Sequence, residues 1–188
     1  MKKTLLLCLL AIGSTNTMAD VYIGVDYGAT SNTTEIIGGT NDVDETNKYK
    51  DISVKLGIGE DGDWKGQIRV SSLSYDKTIF DSSHKKLIEV SFDGIKEFEI
   101  QSVQNLYPFI KFGFGIGSMS IDGYSESSIT SASFNLGVGI SYNVIDHINL
   151  IGGVDYIGRS WQDVQISTYT LSTFDSGAKP YIGVNYTF

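Results

Sequence analysis

After its first nineteen residues the chain is dense in two-residue alternation, the side-chain period of a β-strand and not of a helix. Val21, Ile23, Val25, Tyr27 and Ala29 alternate with Tyr22, Gly24, Asp26, Gly28 and Thr30. Ile52, Val54, Leu56 and Ile58 alternate with Asp51, Ser53, Lys55, Gly57 and Gly59. Trp64, Gly66, Ile68 and Val70 stand against Lys65, Gln67, Arg69 and Ser71, and Ile88, Val90 and Phe92 against Glu89, Ser91 and Asp93. The second half repeats this four times, beginning with Ile110, Phe112, Phe114 and Ile116 against Lys111, Gly113, Gly115 and Gly117. Runs 134–143, 148–159 and 179–188 follow, which predicts eight strands.

The connections alternate in length. Long polar stretches lie at 31–47, 76–85, 122–130 and 162–176, and shorter ones at 60–63, 97–105 and 144–147. Antiparallel strands joined this way close into a barrel with long loops at one end and short turns, with both termini, at the other. Val164, Ile166 and Thr168 still alternate, so the fourth long stretch is expected to form a hairpin beyond the barrel; its polar character argues against two further spanning strands. Ile95, Ile151 and Ile157 interrupt the pattern and are expected at bulges or strand ends.

Parity separates two faces. One is bulky and unbroken. The other is small and glycine-rich and carries the isolated charges Asp26, Lys55, Arg69, Glu89, Lys111, Asp155, Arg159 and Lys179. A soluble sandwich or lipocalin buries its apolar face and exposes the polar one. Here the charges suit a narrow interior in which opposite signs pair, because an unpaired buried charge is too costly. The bulky face then meets lipid, and in an eight-stranded barrel side chains fill the lumen. Trp64, Tyr142, Tyr186 and Phe188 fall on the apolar face near the turn end, and Tyr27 and Tyr156 towards the loop end, as two interfacial girdles. Pro108 and Pro180 fall near strand ends, where a missing donor is tolerable.

The first nineteen residues read as an export signal. Lys2 and Lys3 precede an apolar run from Leu5 to Ile12, and Thr17-Met18-Ala19 offers small residues before Asp20. The apolar run is too short to cross a bilayer as a helix, which takes about 20 residues. Of the 14 Lys and Arg, Lys2 and Lys3 leave with the signal, so 12 face 22 acidic residues and the net charge moves from -8 to -10. An acidic chain without a basic run argues against nucleic acid as a partner. The only cysteine, Cys8, lies in the signal, so residues 20–188 form one domain without disulfide or thiolate metal site.

Tyr181-Ile182-Gly183-Val184-Asn185-Tyr186-Thr187-Phe188 ends the chain with a glycine, spaced apolar residues and a terminal aromatic. Together with Leu106-Tyr107-Pro108-Phe109 leading into Gly113-Phe114-Gly115-Ile116-Gly117, this resembles the small outer-membrane β-barrel family, which includes the eight-stranded membrane domain of outer-membrane protein A. The resemblance implies an all-β, eight-stranded antiparallel transmembrane barrel in the bacterial outer membrane. It implies outer-membrane lipid and lipopolysaccharide as surroundings, and an assembly machinery that captures the last strand by β-augmentation through Tyr181, Gly183, Tyr186 and Phe188. No cofactor is implied, and the extracellular ligand is left open.

No constellation specifies a catalytic, cofactor or metal site, so the chain reads as a structural or surface-interaction barrel acting through its outer loops. A small pore and a lipid-A-modifying enzyme are the alternatives. Gly113, Gly115 and Gly117 precede no helix, which a dinucleotide site requires. His84 has Asp81, Ser82, Ser83 and Glu89 nearby, the residue types of a lipid hydrolase, but serines are common in outer loops, and His147 lies at the other end of the barrel. Asp42, Asp44 and Glu45, with Glu35, lack the glycine and glutamate spacing of a calcium loop and read as a solvated acidic stretch.

Overall fold

The computed structural model describes residues 19–37, 43–80, 83–123, 127–166 and 169–188. The strands are β1 (Asp20–Ile37), β2 (Val43–Gly59), β3 (Trp64–Tyr75), β4 (Lys86–Glu97), β5 (Leu106–Ser120), β6 (Ser128–Ile145), β7 (Ile148–Trp161), β8 (Val164–Ile166) and β9 (Tyr169–Thr187). Each long strand lies antiparallel to its neighbour in chain order. β9 pairs both β7 and β1, so eight strands close on themselves, while three-residue β8 pairs only β9. Closure leaves no unpaired edge around the wall, the condition for spanning hydrocarbon with strands.

The facing follows the alternation. In β1 each residue from Tyr22 to Thr34 on the even positions is buried and each odd one is exposed. The outward set forms a continuous apolar belt that includes Val25, Ile52, Phe92, Phe114, Ile116, Leu136, Val138 and Ile182, with Phe114 at 70% exposure and Ile116 at 71%.

Two long stretches expected to be loops are largely strand. β1 and β2 remain in register out to Ile36 opposite Val43, and β9 pairs β1 from Thr33 through Ile37 and β8 from Val164 through Ile166. The ladder is a backbone interaction. It continues wherever strand-forming Ser, Thr and Asn can stand in water, although the apolar face has stopped. β1, β2, β8 and β9 therefore rise together above the belt, and the fourth stretch does form a hairpin. Thr168 and Asp42 lie outside the described residues.

Ile95, Ile151 and Ile157 do not mark bulges. Each keeps its register, with Ile95 opposite Lys65 and Lys111, Ile151 opposite Ser141, and Ile157 opposite Asn135. All three are buried inside the barrel, because part of its interior is apolar. The irregularity on this side lies instead between Asn143 and Ile145.

At the end that holds both termini the connections are tight. Asp63 N–H donates to the Glu60 carbonyl (3.2 Å), and Gly62 takes the φ of +77° that the third residue of such a turn requires. Asp61 accepts from Lys65 (2.6 Å) and from Asn143 near the end of β6. Burial works to raise the Asp61 carboxyl, and these bonds outweigh it, holding it below the usual carboxylate range.

Candidate functional site

The lumen is filled, and its centre is an ion-pair network. Asp26 pairs with Lys55 at 2.6 Å, and Lys111 with Asp155 at 2.8 Å. Arg69 lies 3.3 Å from Asp93 and 4.0 Å from Asp155. Arg159 donates to Glu89 through Nη2 (2.9 Å) and Nε (3.2 Å), and to Tyr75 Oη through Nη1 (2.8 Å). Lys179 pairs with Asp51. All eight charges singled out in the sequence are buried inside the closed ladder.

Partners that the sequence did not single out complete the network. Asp51 and Asp93 stand two steps of alternation from Lys55 and Glu89, so parity already placed them on the same face. Asp93 accepts from Gln67 (2.8 Å) and Asn135 (3.0 Å). Asp175 accepts from Tyr75 (3.2 Å) and from the Trp161 indole (3.0 Å). It was missed because 162–176 read as loop. Glycine makes the room. A Cβ on Gly137 would collide with the Asp155 carboxylate, and one on Gly113 with Asp93.

Apolar layers bound the charges. Towards the loop end, Tyr49, Leu73, Tyr75, Leu87, Met119, Ile121, Ile129, Trp161 and Val164 form one buried cluster, with Ile79 and Phe80 of the second connection folded against it. Leu87 is wholly buried and Leu73 nearly so. Ile95, Phe109, Ile151 and Tyr181 form a smaller cluster towards the turn end. These residues share inward parity with the charges. They escaped the sequence reading because an apolar residue on the polar face looks like an interruption. The apolar lid lowers the local dielectric, which strengthens the pairs beneath it and raises the penalty for losing one partner.

The four residues of the terminal motif divide between the faces. Tyr181 and Gly183 point inward: Lys111 Nζ lies 4.1 Å from the Tyr181 ring centroid, and Gly183 leaves space for the Asp26 carboxylate. Tyr186 and Phe188 point outward and meet edge to face with centroids 5.2 Å apart. His147 stacks on Tyr186 at 5.8 Å, with its Nδ1 2.9 Å from the Thr187 carbonyl oxygen. The Phe188 N–H donates to the Val21 carbonyl, which closes the seam between the ends of the chain.

Of the hydrolase constellation suggested by the sequence, Ser83 and His84 come together and Glu89 does not join them. Ser83 Oγ lies 3.2 Å from His84 Nδ1 and donates to Asp122 (3.1 Å), on the exposed rim. Glu89 faces the opposite way, into the lumen, where it holds Arg159. Asp81 and Ser82 lie outside the described residues. In the acidic hairpin Glu35 stands opposite Asp44, and Glu45 is neutralised by Lys77 at 2.6 Å. Among the described residues no group of three or more His, Cys, Asp or Glu is arranged to hold a metal ion.

Comparison with known proteins gives the same architecture. Neisserial surface protein A is similar over 89% of this chain and 97% of its own, at 18% identity and a TM-score of 0.53. The outer membrane protein OprG from Pseudomonas aeruginosa is similar over 90% and 96%, at 11% identity and a TM-score of 0.51. The N-terminal β-barrel domain of Pseudomonas aeruginosa OprF is similar over 88% and 97%, at 14% identity and a TM-score of 0.50. At these identities the likeness is one of fold. No curated protein sequence matches the chain. The profile of the outer membrane protein beta-barrel domain matches residues 4–188. A closed eight-stranded wall with an apolar exterior, a polar lumen and this match make the chain a member of the outer membrane protein β-barrel domain family, resident in the bacterial outer membrane.

Proposed function

We propose that the chain is a sealed, non-conducting surface barrel that holds a projecting β-rim above the outer membrane for contact with external partners. One observation carries this reading: the apolar cluster around Leu73, Leu87, Met119, Ile129 and Trp161 caps a lumen already packed with ion pairs. Water has no continuous path past such a layer, and opening one would strip partners from several buried charges at once. The rim supports the other half. β1, β2, β8 and β9 extend beyond the belt with Ser31, Thr33, Glu35 and Thr46 facing outward, a polar sheet set on a rigid base.

In this reading residues 1–19 direct export and the mature chain starts at Asp20. The last strand, with Tyr181, Gly183, Tyr186 and Phe188, is the segment taken up by the barrel assembly machinery. The surrounding outer leaflet supplies lipopolysaccharide as the immediate neighbour of the rim. The purified, folded protein reconstituted in planar bilayers tests the sealed lumen. No discrete conductance steps above the lipid background are expected. Reproducible open-channel steps scaling with protein concentration would overturn the reading in favour of a pore.

A further inference from the structure

Three cations outside the ion-pair network of the lumen sit opposite a carboxylate. Lys77 meets Glu45, Lys96 meets Asp63, and Lys65 meets Asp61 and Glu97. Lys48, Lys50 and Lys86 are exposed and, among the described residues, have no such partner. Lys50 stands opposite Ser74 of β3, and Ser74 opposite Lys86 of β4, so the three occupy one outward row across three strands. Neighbouring strands lie about 4.8 Å apart, which puts the two lysine backbones roughly 10 Å from each other. Lys48 lies one outward step above Lys50, and Lys85 beside Lys86 donates only to the Asp76 carbonyl. The row sits at the upper border of the belt: the next outward step down is Ile52 on β2 and Ile88 on β4, with Val54 and Val90 below.

Beside this row, at its own level, runs a groove lined by Ala29, Ala178 and Pro180 and by Lys48 and Lys50, with Asp76 as its single carboxylate; Ala29 stands opposite Lys50 and Ser31 opposite Lys48. Its origin is local. The β1–β9 ladder is continuous up to Gly28 opposite Tyr181 and resumes at Thr33 opposite Ser176. Between them Pro180 has no N–H to give, and Ala29 and Ala178 are too small to fill the wall's outer surface. Thr30 Oγ bridges the gap by donating to the Ala178 carbonyl at 2.6 Å.

We propose that Lys48, Lys50 and Lys86 bind the phosphates of a phosphorylated glycolipid of the outer leaflet, with its acyl chains lying on the apolar rows below, Ile52 and Val54 of β2 and Ile88 and Val90 of β4. The height is right for a headgroup, because the lysines stand where hydrocarbon ends and the exposed apolar rows of β2 and β4 start below them. The charge is right for phosphate, for which Lys acts as a point charge with three donors. The spacing across β2–β4 fits a headgroup with more than one phosphate. The inference rests on the loop end facing the outer leaflet and is independent of whether the lumen conducts.

The folded full-length protein, in detergent or nanodiscs, is titrated with bis-phosphorylated lipid A and with the same glycolipid after removal of its phosphates, and bound lipid is read by native mass spectrometry. The wild type is expected to prefer the phosphorylated form at least tenfold, less so as salt rises. K48Q/K50Q/K86Q loses that preference, while K96Q, at the opposite end of the barrel, keeps it. Folding is checked by the heat-dependent shift on a denaturing gel. Should the triple variant not fold, K50Q and K86Q singly are expected to lower the preference several-fold each. Equal retention of the two glycolipids by the wild type, or unchanged preference in the folded variants, would overturn the proposal.

Discussion

Replacing Arg159 with Met tests whether the lumen network holds the barrel together. Arg159 is wholly buried and makes two bonds to Glu89 and one to Tyr75, with Asp175 3.9 Å away. Methionine fills much of the space but leaves two carboxylates under an apolar lid without their cation. Removing one member of such a buried pair costs about 3–5 kcal/mol, because the remaining charge stays desolvated. At about 4 kcal/mol the folding equilibrium falls by roughly a factor of a thousand. With a urea slope of about 2 kcal/mol per molar, the unfolding midpoint moves down by about 2 M. The assay is urea titration of the protein folded into lipid vesicles, followed by tryptophan emission. Adding Glu89→Gln neutralises one stranded carboxylate, so the double variant should recover part of the loss and the two changes should be non-additive. A loss below about 1 kcal/mol for Arg159→Met, or a double variant weaker than the single one by the full cost of Glu89→Gln, would refute a tightly coupled network.

Two further outcomes follow from the outer face. Val138 and Thr130 both point outward on β6, Val138 in the belt and Thr130 above it. Arginine at Val138 is expected to cost about 2–4 kcal/mol in vesicle folding, and arginine at Thr130 about 1 kcal/mol or less. Equal costs would mean that the belt does not sit at membrane depth. Deleting Phe188 removes the ring on Tyr186 and the bond to Val21, and is expected to lower the amount of barrel in the outer membrane several-fold while leaving export intact. Quantitative blotting of membrane and periplasmic fractions reads both, and an unchanged membrane level would remove the terminal residue from assembly.

The wall of this protein was legible in its sequence because β-alternation encodes facing directly. Val21 through Thr30, Ile110 through Gly117 and Phe134 through Asn143 give strand, register class and face without any knowledge of partners. Two things were not legible. Alternation of Thr, Ser and Asn carries little hydropathy contrast, so the ladder from Ser31 to Ile37 and from Tyr169 to Ser176 looked like loop, and Asp175 was lost with it. The apolar residues of the lumen, Ile95, Ile151 and Ile157 among them, broke the contrast from the other side, since parity predicts which way a residue points but not what it will meet there. Pairing across the barrel, such as Arg159 with Glu89 seventy positions away, is set by closure and strand register, which no local pattern contains.

The chain's two tryptophans offer the most direct test of the inside and the outside. Trp64 is 55% exposed on the outer face near the turn end, and Trp161 is 3% exposed within the lumen cluster. Trp161→Phe leaves Trp64 as sole emitter, and Trp64→Phe leaves Trp161. In vesicles containing brominated lipid, Trp64 emission should be strongly quenched. Trp161 should be quenched little by the lipid and little by aqueous iodide, since it is walled from both. Strong iodide quenching of Trp161 would show a lumen open to water, and lipid quenching of Trp161 equal to that of Trp64 would show that the faces are assigned wrongly.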